Sequence, residues 1–365
     1  VSRGRLARDL HPVAWWLWAI GLAVAASATT NPLSLLLLVG VAALAVGLRR
    51  SDQPWGASFR LYVWLGVAIV VIRVVFRVVF GGGSNGTVLL DLPAVPLPEA
   101  AAGIVLLGPV TLESLLAGAY EGLRLATIVI CVGAANSLAN PKRLLRSVPP
   151  ALYEVGTALV VAVSVLPQLA DSVQRVRAAQ SLRAAPATGR VGSMRRFLVP
   201  VLEDALERSL ALAAGMDTRG YGRSGDASPA RRRVTGALML TGLCGVCVGV
   251  YAGLDQEAPR WLATPMLLLG VAVAVLGTVS AGRRVERSRY RPDRWRTPEL
   301  LVVAAGVVVA VLGQWVARHQ PLVALPRLDA VPTVSLAVLL GAGVALLGAV
   351  ASPPTRVTAP RVVTA

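Results

Sequence analysis

Long apolar runs broken by short polar punctuation dominate the chain. "WWLWAIGLAVAAS", "NPLSLLLLVGVAALAVGL" and "LLVVAAGVVVAVLGQWVA" each approach the roughly 20 apolar residues that a helix needs to cross about 30 Å of hydrocarbon. Such runs predict helices over Val13–Thr29, Pro32–Leu48, Leu61–Phe80, Ser114–Leu138, Ala151–Ala170, Val234–Leu254, Trp261–Ser280, Leu300–Ala317 and Pro332–Val350. Two stretches follow a narrower, one-sided pattern. Val173, Val176 and Ala179 form a stripe with Gln174, Arg175 and Arg177 off it. Leu202, Leu206, Leu210 and Ala213 line one face of a second helix, predicted to start at Pro200 and its nearby acids and to stop at Gly220. The small-residue stretch "AAPATGRVGS" lies between them as a linker.

The connections differ sharply in charge. The N-terminus, "RRSDQPWGASFR", "NPKRLLRS", the segment from Asp171 to Arg233 and "GRRVERSRYRPDRWR" are basic. The long connection before the fourth run holds Asp91, Glu99 and Glu113 without one Lys or Arg. By the positive-inside rule that connection lies outside and the basic ones lie in the cytoplasm. If every run crossed once, Ala151–Ala170 would carry the arginine-rich segment after it outside. The expectation is therefore that this run starts in or along the membrane face, after Pro149 and Pro150, and returns to the cytoplasm without crossing, with a kink at Pro167. Eight spans remain. The predicted fold is all-α: a polytopic membrane protein of about eight transmembrane helices plus two long cytoplasmic helices.

Composition narrows the chemistry. The 365 residues are 55% apolar and carry a formal charge of +17, almost wholly from arginine, a bias that a GC-rich genome would also produce. Lys142 is the only lysine, and no glycine-rich turn precedes it, so the chain has no Walker A site of its own. Cys131, Cys244 and Cys247 fall inside apolar runs and read as small buried hydrophobes. With His11 and His319 the only histidines, a histidine metal site and a Ser/His triad are excluded, and no cofactor or nucleic-acid partner is expected. The N-terminus has the layout of a secretory signal, but the next apolar run begins after only "TTNP", which suits a retained first span and a tight helical connection.

Both amphipathic helices end near an arginine, in Leu182-Arg183-Ala184 and in Thr218-Arg219-Gly220. An arginine in a last turn and a glycine after it are what any helix end favours. Two such arginines on the arms of a membrane protein that lacks an ATPase site add to that reading. "LHPVAWWLWAIGLAVAASATTNPLSLLLL", "LLGPVTLESLLAGAYEGLRLATIVI", the stretch from "NPKRLLRSVPP" to "AAQSLRA", and "EDALERSLALAAGMDTRGYG" together give a sequence that resembles the transmembrane T component of energy-coupling factor (ECF) transporters, the family that includes the cobalt transport membrane subunits. The resemblance covers roughly Leu6 to Leu254. It matches the family's second Ala-Arg-Gly-type motif at Thr218-Arg219-Gly220, and departs from the first by ending on Ala184 where glycine is usual. It implies a coupling subunit whose two cytoplasmic helices cross and insert their ends into two ABC ATPase subunits. A separate substrate-binding S component for a vitamin or a transition-metal ion would pack on the membrane helices. The expected organisation is a four-span region at 1–139, coupling helices at 140–233, a closing span at 234–254 and a three-span extension at 255–365 that the resemblance does not cover. The resemblance also places the protein in a bacterial cell membrane.

A few charges lie inside spans. Arg73 and Arg77 share a face of the third span, and Glu121 enters the fourth from the same side, with Arg124 one turn on. An unpaired charge in hydrocarbon is costly, so Glu121 is expected to pair with Arg73, Arg77 or Arg124, with snorkelling as the alternative for Arg77. A stand-alone secondary transporter would need an acidic site near the midplane and often internal repeats. Glu121 is the only acid well inside a span and no repeat is present. A membrane enzyme is disfavoured because paired acids, catalytic histidines and metal-ligand spacings are missing.

Overall fold

The computed structural model describes residues 8–49, 58–80, 86–93, 95–96, 105–147, 153–182, 190–221, 229–255, 260–282 and 295–353. In chain order these form helices α1 (Pro12–Ser27), α2 (Pro32–Arg49) and α3 (Phe59–Val79), then short strands β1 (Val88–Asp91), β2 (Val95–Pro96), β3 (Val105–Leu106) and β4 (Pro109–Thr111). Helices α4 (Leu112–Leu138), α5 (Pro141–Arg146), α6 (Tyr153–Ser181), α7 (Arg190–Asp217), α8 (Pro229–Leu254), α9 (Arg260–Gly282), α10 (Thr297–His319), α11 (Pro321–Ala324) and α12 (Leu336–Ala351) follow. The chain is an all-α polytopic membrane protein. Seven of the described helices, α2, α3, α4, α6, α8, α9 and α10, are long and apolar enough to cross a bilayer, while α1 and α12 are shorter apolar helices.

The chain divides into two compact units, 1–144 with 293–365, and 145–292. In the first, α1 lies between α10 and α4, α12 packs on α10 and α2, and α3 packs on α4. Lipid tails are as apolar as Leu, so helices here associate through close backbone approach rather than hydrophobic burial, and small residues mark the seams. A Cβ added at Gly21 would fall 2.2 Å from the Gly306 carbonyl oxygen, and one at Gly348 would fall 2.6 Å from the Ala305 Cβ. Trp18, Leu22, Leu35 and Val302 are fully buried around these crossings.

Polar ties close both ends of the α1–α10 seam. Glu299 is completely buried. It accepts the backbone N–H of Arg296 at 3.1 Å, which fixes the start of α10. Its other oxygen pairs with Arg8. The His11 ring caps the first turn of α1 and stacks on Trp295 at 5.0 Å. At the opposite end Thr29 Oγ1 donates to the Ala324 carbonyl at 2.7 Å. The buried Asn31 amide donates to the carbonyls of Val323 and Thr333, at 2.8 and 2.7 Å.

In the second unit α8 and α9 form an antiparallel hairpin packed through glycine. A Cβ at Gly242 would meet Ala274 N at 2.5 Å, and one at Gly249 would meet Leu267 N at 2.5 Å. Helices α6 and α7 touch over a short stretch near Ser172 and Asp204.

Several expectations change. Helix α7 begins ten residues before Pro200, which lies inside it on an exposed face, where solvent can satisfy the carbonyl that proline leaves unbonded. Helix α6 runs from Tyr153 to Ser181 with Pro167 inside it, the position expected to kink it. Helix α12 starts at Leu336 rather than Pro332, because Pro332 to Ser335 are taken up by the connection that bonds Asn31. Cys131 is buried but Cys244 and Cys247 are exposed, since only one face of the α8–α9 hairpin meets its partner helix. The acidic connection before α4 carries short strands: β1 pairs with β4 and β2 with β3, both antiparallel. By length α6 qualifies as a span; the charge of its flanks, not its own sequence, argues against crossing.

Candidate functional site

The end of α7 is built by its sequence as a glycine-terminated cap. Gly220 sits at φ +74, the left-handed region open to glycine. The Tyr221 N–H donates to the Met216 carbonyl at 3.1 Å, and the Gly220 N–H to the Asp217 carbonyl at 2.9 Å. These are the 6→1 and 5→2 bonds of a Schellman motif, so Gly220 is explained by backbone geometry. Thr218 Oγ1 donates to the Gly215 carbonyl at 3.0 Å, turning the hydroxyl back onto the helix. Arg219 is different. Its side chain is exposed and makes no ion pair or hydrogen bond among the described residues. The cap therefore fixes the backbone on either side of a guanidinium that is left open.

Upstream on α7 the apolar stripe is uncovered, with Leu202, Leu206 and Leu210 at 57%, 63% and 70% exposure. The same helix is tied to α6 by one carboxylate. Asp204 accepts a hydrogen bond from Ser172, an otherwise buried hydroxyl, and bonds Arg208 at 3.0 Å and Arg175 at 3.4 Å. The Ser172 bond, then Arg208 and Arg175, hold the Asp204 carboxyl below its ordinary value. Arg177 lies over the Phe197 ring at 5.6 Å, a second contact between the two helices. The end of α6 is described as far as Leu182, which is 87% exposed. Arg183 and Ala184 lie outside the described residues.

The intramembrane charges come together in part. Glu121 lies 3.3 Å from Arg77 and 3.8 Å from Arg73, one carboxylate shared by two guanidiniums. Arg124 forms no ion pair among the described residues. The α4 glycines were missed by sequence reasoning: Gly118 and Gly122 leave notches into which the stems of Arg77 and Arg73 fit, with an added Cβ meeting Arg77 Cγ at 2.7 Å and Arg73 Cβ at 3.2 Å. Their i, i+4 spacing opposite two arginines of equal spacing was the available signal. Also missed was the tie between Asp204 and Ser172, an acid on α7 and a hydroxyl on α6 beside patterns read only for their apolar stripes.

These features define a polytopic α-helical membrane protein with two long amphipathic helices, one of them ending in an exposed arginine. The family model described as CbiQ, cobalt transport protein, matches residues 3–229, more than half of the chain. The chain belongs to the CbiQ cobalt transport protein family. It is also similar to the energy-coupling factor transporter transmembrane protein EcfT of Leuconostoc gelidum subsp. gasicomitatum, 27% identical over an alignment of 191 residues, with 48% of this chain and 65% of that protein covered. The match thus spans just under two thirds of that relative's length. All of α8 after Pro229, and helices α9 to α12, lie beyond the family match.

Proposed function

We propose that this chain is the non-catalytic membrane coupling subunit of an ECF-type importer. Its α6 and α7 arms engage two cytoplasmic ABC ATPases through Leu182-Arg183-Ala184 and Thr218-Arg219-Gly220. A substrate-binding S component sits beside its membrane helices, and the cargo is a vitamin or a transition-metal ion of the cobalt and nickel class. The N-terminus and both arms are cytoplasmic, with the chain in the bacterial cell membrane. The observation that carries this reading is the open guanidinium of Arg219 on a rigid cap at the tip of a one-sided helix. A planar guanidinium suits a carboxylate-bearing groove, and a small docking surface can transmit force through such a pair when it is partly desolvated. The absence of a Walker lysine from the sequence supports a subunit that borrows its hydrolysis from partners. Membership of the CbiQ family and likeness to a protein named for energy coupling support the same reading.

The test is co-purification of the ATPases with an Arg183→Glu, Arg219→Glu variant of the full chain. The expected result is a loss of ATPase recovery of about tenfold or more, with membrane insertion unchanged. Recovery equal to the native chain overturns the assignment.

A further inference from the structure

The α3–α4 seam presents charge where a membrane protein can least tolerate it. Glu121 lies nine residues into α4, about 14 Å from its start, and Arg73 lies six residues before the end of α3, about 9 Å from it. Arg124 sits close to the middle of α4. The side chains of Arg73, Arg77 and Glu121 are 48%, 39% and 39% exposed. Around them the outer face of α3 is apolar, with Ile72, Val75 and Phe76 half exposed. The glycine notches receive the arginine stems, and both arginine side chains stay partly exposed. Two arginines share one glutamate, an excess of one positive charge.

The other described apolar helices carry no carboxylate free to join them. Helices α1, α2, α8, α9 and α12 contain no Asp or Glu, and α6 contains none from Val155 to Ala170. The single acid of α10, Glu299, is fully buried with Arg8. Charged groups at this depth are expensive and are found paired or lining a functional surface. We propose that the α3–α4 seam docks a transmembrane helix of another subunit that carries a carboxylate at matching depth. That carboxylate joins Glu121 in neutralising Arg73 and Arg77, while the apolar flank of Ile72 and Phe76 packs against the same helix. The inference rests on the reading of this chain as a subunit with a membrane partner and adds the chemistry by which that partner is recognised.

The test reconstitutes the full chain in phosphatidylcholine vesicles with a labelled Leu/Ala transmembrane peptide of about 22 residues. One version carries Asp about 10 Å from one end and the other carries Asn at the same place, with association followed by energy transfer to a donor on the protein. The Asp peptide is expected to bind about tenfold more tightly than the Asn peptide, and the preference is expected to vanish in Arg73→Gln, Arg77→Gln. Equal binding of the two peptides by the native chain overturns the proposal without reliance on any variant. So does a preference that survives in the double variant. Displacement of the Asp peptide when phosphatidylglycerol replaces a fifth of the lipid overturns it in favour of a headgroup site. If only the coupling assignment fails, the Arg183→Glu, Arg219→Glu chain keeps its ATPases and the native chain still prefers the Asp peptide; if only this proposal fails, that variant loses its ATPases and the native chain shows no preference.

Discussion

The α1–α10 seam and the α6–α7 crossing are two ways of joining long helices. In the first, backbones approach until no Cβ fits at Gly21 or Gly306, and polar ties at Glu299 and Asn31 lock both ends. In the second, the helices meet around one carboxylate and one cation–ring contact, and the apolar face of α7 stays open. The first is specified by the chain itself. The second leaves its largest apolar surface uncovered, with Leu202, Leu206 and Leu210 exposed. A scaffold and a pair of arms are therefore distinguishable by how completely each satisfies itself.

The contrast breaks most sharply at Gly306→Leu. An added Cβ there lies 2.7 Å from the Trp18 Cα, backbone that cannot move without opening the seam. The expected cost is about 3 kcal/mol or more, seen as loss of folded protein on size exclusion in detergent. An equal yield for Gly306→Leu and the native chain would mean that α10 is not seated as described.

A smaller effect is expected at Gly220→Ala, which forces a side chain into the left-handed region at the α7 cap. The expected penalty is about 1 kcal/mol, confined to the last turn and read as faster amide exchange at Tyr221. Unchanged exchange there would show that the cap does not hold the tip.

The smallest effect on the whole chain is expected at the crossing. Asp204 is held below its ordinary carboxylate pKa, so its contribution is present above the unfolded value and is lost as pH falls through the folded one. Spin labels at Ser181 and Gly215 should report a crossing that loosens in acid, and Asp204→Asn should be loose at neutral pH and insensitive to further acidification. A distance distribution that is the same at both pH values would remove Asp204 as the tie.

Helix positions were legible because a span must be long and apolar, and α2, α3, α4, α8, α9 and α10 fall close to the predicted runs. Their partners were not, because the contacts are made by Gly and Ala, which every span contains. Nothing in the sequence near Gly21 points to Gly306 across nearly the whole chain. The pairing partners of Glu121 were narrowed to Arg73 and Arg77 across the two spans and Arg124 one turn along its own helix, and side-chain geometry selects Arg73 and Arg77. The Gly220 cap was readable from "TRGYG" because a left-handed glycine after a helix is a local signal. The start of α7 was not, because Pro200 carried the sequence mark of a first turn while the residues before it had helix-forming content.

The bond between Arg8 and Glu299 joins residues 291 positions apart. At a synthesis rate of about 5–20 residues per second, α1 waits roughly 15–60 s before the helix that covers its glycine face emerges. During that interval the membrane-inserted N-terminal helices have an open seam at Gly21. A ribosome stalled after α9 would therefore leave a bundle accessible to holding chaperones or to the wrong neighbour. Completion of the α1–α10 seam is timed by the helices that follow α9, and anything that binds the N-terminal helices earlier does so before that seam is closed.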